Sequence, residues 1–117
     1  MKLNSSLLNS SLKKNEKGYL ILDLVKKNIV SIDNASELID PKKLNILLLS
    51  NNYFKEIPSN VVLFEKLILM DLSGNNISEI SGLEHVTSLQ VLNLSMNKIK
   101  ILCNLNSLQN LIKLVSN

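Results

Sequence analysis

Arginine is absent: all thirteen cations of this 117-residue chain are lysines, set against ten carboxylates. Specific phosphate and guanine contacts favour the forked guanidinium, so a nucleic-acid reading starts weak. The formal charge of +3 reads first as a solvated lysine surface. Aromatics make up only 3% of the residues while 45% are apolar, so any core must be aliphatic. The single cysteine, Cys103, cannot form an internal disulfide, which suits a reducing compartment. No apolar run approaches the roughly eighteen residues needed to cross a bilayer. The opening MKLNSSLLNSSLKK breaks its leucines up with Asn and Ser, whereas a secretory signal needs about seven or more uninterrupted apolar residues. The expectation is a soluble, intracellular, cytoplasmic protein, with nucleus and cytoskeleton left open.

Chemistry-bearing motifs are equally scarce. The sequence has no G-x-x-x-x-G-K, no H-E-x-x-H and no C-x-x-C. No cofactor, metal or catalytic residue is expected. His85 is the one histidine, and Cys103 lies about one repeat further on. A Cys–His pair would still need an orienting third group and a pocket, and the pattern offers neither. His85 reads as a surface residue, and Cys103 as a small, partly buried one.

What is present is repetition. KLNILLLSNNYFKEI (43–57), KLILMDLSGNNISEI (66–80) and SLQVLNLSMNKIKIL (88–102) share one frame. An apolar residue is followed by others three and five positions on, by asparagine at eight, and by apolar residues at ten and thirteen. Its members are Leu44, Leu47, Leu49, Asn52, Phe54 and Ile57, then Leu67, Met70, Leu72, Asn75, Ile77 and Ile80. The next copy has Leu89, Leu92, Leu94, Asn97, Ile99 and Leu102. A looser copy holds Tyr19, Leu22, Leu24, Ile29 and Ile32, with Lys27 at the asparagine position, and a fifth begins at Leu111 and Leu114. Successive copies start 25, 23, 22 and 22 residues apart.

A spacing of three and then two is neither helical nor uniformly extended. It fits a short strand, whose alternate residues point inward, followed by a turn. Asparagine at the turn can satisfy backbone groups that would otherwise be buried unpaired, at about 1–3 kcal/mol each. One copy cannot bury its own apolar face, so the copies must stack.

This frame resembles the leucine-rich repeat family over residues 19–117. IPSNVVLFEKL (57–67) is similar to the common 23-residue intracellular type. ISEISGLEHVTSLQVLNL (77–94) is similar to the 22-residue type of a protein phosphatase-1 regulatory subunit and its relatives. The resemblance implies an α/β solenoid: a right-handed coil with a short parallel β-sheet on its concave side and loops, 3-10 or short helical turns on its convex side. It also implies a concave side that commonly binds protein. Residues 19–117 would hold four repeats and an unfinished fifth, and residues 1–18 either a cap helix with Leu7, Leu8 and Leu12 inward or a flexible tail. The unfinished end fits a fragment of a larger repeat protein, self-association through an open strand edge, or a partner that completes it.

The frame also names the residues that face out from the strands. One row is Ile21, Ile46, Leu69 and Val91; the next is Asp23, Leu48, Asp71 and Asn93. The core does not need apolar residues here, so Ile46, Leu48 and Leu69 point to a partner surface. Aliphatic residues do also suit strands for their own sake. Asp23 and Asp71 would lie two strands apart, about 10 Å, too far for a tight carboxylate dyad. Tyr53, on the turn after Asn52, joins the expected partner-binding set because tyrosine is enriched at interface hot spots. The leading expectation is a non-enzymatic protein-interaction module, as a regulatory or scaffold subunit. Its alternative is a nucleic-acid or ribonucleoprotein accessory using Lys13, Lys14, Lys17, Lys26 and Lys27.

Overall fold

The computed structural model describes residues 3–116. Its frame is a six-stranded sheet whose strands lie side by side in chain order: β1 (Leu12–Lys14), β2 (Leu20–Asp23), β3 (Ile46–Leu48), β4 (Leu69–Asp71), β5 (Val91–Asn93) and β6 (Lys113–Val115). The β2 to β6 pairs are parallel, with no slip in register from Leu22 to Leu47, Met70, Leu92 and Leu114. Each strand is three or four residues long because only its central apolar residue has to enter the core. Leu22, Leu47, Met70 and Leu92 are all fully buried. So are Leu24, Leu49 and Leu72, which follow at the strand exits, and Leu44, Leu67 and Leu89, which precede the strands. At roughly 1.5–3 kcal/mol per buried aliphatic side chain, this stack is the main source of stability.

The long way round each coil varies with its length. The first carries a four-residue helix, α2 (Ala35–Leu38), and a 3-10 turn at Pro41–Lys43 whose Lys42 amide donates to Asp40 Oδ1. The second has one 3-10 turn, Ser59–Leu63, entered through Pro58. The 22-residue coils make the return with simple turns, closed by Ile80, Leu83 and Val86 in the first of them.

Before the repeats, helix α1 (Ser5–Ser11) starts at Asn4, whose side chain accepts from the Leu7 amide at 2.8 Å. It buries Leu8 over the first coil, with Leu3 beside it, while Leu7 and Leu12 are partly covered. The chain then extends into β1, which runs antiparallel to β2 with Leu12 opposite Leu22 and Lys13 opposite Ile21. No frame position marks this strand in the sequence. Its pairing partner is the otherwise open edge of β2.

Three residues depart from expectation. Tyr19, which occupies the frame position of the buried Leu44, is 37% exposed because the β1–β2 turn holds it at the rim of the sheet. Leu102 closes no coil and is 55% exposed, with Ile101 beside it. Cys103 is exposed rather than partly buried.

Candidate binding face and the asparagine ladder

The asparagines of the frame hold the coils together, and they do so in one direction. Asn52 Oδ1 accepts from the amides of Lys27 and Ile29, both at 3.0 Å, and its Nδ2 donates to Leu24 O in the preceding coil and Leu49 O in its own. Asn75 serves Phe54 N and Leu49 O behind it, and Asn97 serves Ile77 N and Leu72 O. Every side chain reaches back by one coil. Lys27 therefore does not break the ladder: among the described residues α1 and β1, not another such coil, lie behind the first one, and the lysine is exposed. Asn52 and Asn75 are buried, while Asn97 is partly exposed.

A second set of amides, missed from sequence, ties the convex side. Asn34 Nδ2 donates to Leu3 O, Asn60 Nδ2 to Ile32 O and Asn104 Nδ2 to Ile80 O, each at 2.7 Å. Asn45 Oδ1 accepts from Leu20 N at the strand entry. Asn34 and Asn104 share one place in their coils, but Asn60 is shifted by one and Gly82 stands there in the coil between, so the frame did not show them.

The sheet brings eight of the nine expected partner-binding residues onto one face. Ile21, Ile46, Leu69 and Val91 lie in register across four neighbouring strands, and Asp23, Leu48, Asp71 and Asn93 form the parallel row beside them. All eight are half-buried. Directly opposed residues of an antiparallel pair share a face, so Lys13 extends the first row at one end. Lys113 extends it at the other. An aliphatic strip thus lies between two lysines. Tyr53 stands apart: it is 54% exposed and lines a different hollow with Val30 and Lys55.

The polar members of the second row have a structural task that the frame did not announce. Asp23, Asp71 and Asn93 each accept, through Oδ1, the amide two residues on, at Val25, Ser73 and Ser95. These bonds fix the strand exits. Asp23 also pairs with Lys13 at 3.1 Å, the one salt bridge among the described residues. Lys13 is thereby drawn away from the lysine set considered for nucleic acid.

Among the described residues no group of His, Cys, Asp and Glu is placed to hold a metal ion, and no helix is long and apolar enough to cross a membrane. His85 is exposed.

The family model for the leucine-rich repeat matches residues 42–99. The chain belongs to the leucine-rich repeat family. Among solved structures, an internalin from Listeria monocytogenes is similar at 28% identity and a TM-score of 0.67, over 77% of this chain and 25% of that one. The SNF/U2A' complex of Drosophila melanogaster contains a chain similar at 26% identity and a TM-score of 0.61, over 85% of this chain and 71% of its own. An internalin C2, again from Listeria monocytogenes, shares the fold at 22% identity and a TM-score of 0.57, over 83% of this chain and 51% of that one. The leucine-rich repeat chain described here thus spans only a quarter of the first of these. No curated protein matches the sequence significantly. Leucine-rich repeat proteins generally serve as protein-interaction modules.

Proposed function

We propose that the concave face of the sheet binds a protein or peptide, without catalysis, and that the chain works as a regulatory or scaffold subunit. The observation that carries this reading is the registered aliphatic row Ile21–Ile46–Leu69–Val91 with Leu48 beside it. The core beneath is already filled by Leu22, Leu47, Met70 and Leu92, so folding does not require apolar residues on the outer side. Contiguous apolar surface of this kind marks interaction sites. The similar Drosophila chain belongs to a complex, which agrees with a subunit role. An exposed free thiol at Cys103 fits a reducing, intracellular setting.

The test is affinity capture from a cell extract with the wild-type chain and with Leu48→Lys and Asp71→Lys, followed by mass spectrometry. Both variants should keep the wild-type circular dichroism and lose the same captured proteins. Folded variants that capture the same proteins as wild type would sink the reading.

A further inference from the structure

The face is not uniform along its length. Between the β1–β2 turn and strands β3 to β5 lies an open groove of about 660 Å³. Ile46, Leu69 and Val91 form its floor, and Lys14, Lys17 and Tyr19 its wall. The wall is pre-organised. Asn15 Oδ1 accepts from the amides of Lys17 and Tyr19, both at 3.0 Å, Asn15 N donates to Tyr19 O, and Gly18 N donates to Asn15 O. Gly18 completes the turn at a φ of +83°, which glycine adopts without strain. A wall fixed in this way spares a partner the cost of ordering it.

The groove also has a charge. Lys14 and Lys17 stand on its rim, and Lys113 lies next to Val91 at the end of the floor row. Glu16 is the one carboxylate lining it. None of these three lysines is in an ion pair among the described residues, whereas Lys13 is engaged by Asp23. Apolar floor, cationic rim and openness along the sheet select a type of occupant.

We propose that this groove seats a linear acidic segment of a partner protein. One or two of its apolar side chains lie over Ile46, Leu69 and Val91, and flanking carboxylates meet Lys14, Lys17 and Lys113. The proposal rests on the concave-face reading and narrows it to one part of the face and one partner chemistry.

A random dodecapeptide display library panned on the immobilised full chain tests it, with selected sequences resynthesised and titrated by fluorescence anisotropy. Selected peptides should place apolar residues among Asp and Glu. Their affinity should drop at least about tenfold for Leu69→Lys and for the double variant Lys14→Glu with Lys17→Glu, as loss of an anchor or of its charge partners would cause. It should also weaken as salt rises from about 0.05 to 0.5 M, as contacts to exposed charges do, and be unchanged for Tyr53→Ala. Lys14 ends β1 and Lys17 lies on the turn, both exposed, so the lysine variant remains informative if Leu69→Lys fails to fold. Basic or uncharged winners would overturn the proposal. So would peptides lost on Leu48→Lys or Asp71→Lys but indifferent to the turn, although these would leave the concave-face reading standing. A library yielding no binder would overturn both.

Discussion

Asn75 is a single side chain on which two coils depend. Replacing it by alanine leaves Phe54 N without its acceptor in a buried place, and takes one of two donors from Leu49 O and from Leu72 O, which keep Asn52 and Asn97. At about 1–3 kcal/mol for an orphaned buried amide, Asn75→Ala should cost at least that much. Asn97→Ala should cost less, because Asn97 is partly open to water, and Lys27→Ala should be near neutral. Urea titrations of the three variants check the order; a cost at Lys27 equal to that at Asn75 would contradict the backward ladder. Gly74 is a second such point. Its φ is +67°, and an added Cβ would overlap the Asn51 amide. Gly18 has the same handedness but open space around it. Thermal melts should therefore show Gly74→Ala somewhat more destabilising than Gly18→Ala, because the exposed Asn51 side chain must swing aside in addition to the roughly 1 kcal/mol of backbone strain that both share.

At the scale of the element, the three-residue strand divides its side chains between two roles. Leu92 is fully buried and Val91, next to it, is on the outer face. Leu92→Ala should cost about 2–5 kcal/mol and Val91→Ala under about 1 kcal/mol, by the usual cost of core truncation. Comparable costs in chemical denaturation would mean that the outer row is also core. This division was legible from the leucine spacing, and so were the rows of the outer face and the buried asparagines. The turn conformation was not. Lys26, Asn51, Gly74 and Met96 hold the same place in four coils, all with φ between +56° and +67°. The four residue types share no chemistry, because the ladder bonds beside them impose the conformation that the side chain would otherwise choose. Strand β1 was hidden for a similar reason. Leu-Lys-Lys has no strand signature of its own, and what makes it a strand is the free edge of β2.

On the scale of the whole molecule, one end of the sheet is covered and the other is less so. Helix α1 and β1 lie against the first coil, while β6 is paired on one side only among the described residues. Ile101, Leu102 and Ile112 are 70%, 55% and 79% exposed near it. Unpaired strand edges beside apolar side chains invite pairing with another chain. Sedimentation of the 117-residue chain should show assembly that grows with concentration and recedes in Ile112→Lys. A monomer at every concentration would remove self-association from its expected partners. The sequence frame made this edge visible, but it did not foresee that Leu102, a frame residue, would lie outside the core. A frame position is buried only where a following coil covers it.

The backward reach of Asn52, Asn75 and Asn97 gives the array a polarity, like a zip fastener whose teeth all face one way. Growing from its N-terminus, the chain finishes each coil only when the next has been laid down. A cut between two coils would leave unequal halves. The upstream half loses the side-chain acceptor of a turn amide, as Phe54 N would lose Asn75. The downstream half keeps every asparagine side chain, and what it bares is one such side-chain amide and its strand-edge groups, Ile68 N and Asn76 N among them for a cut between the second and third coils.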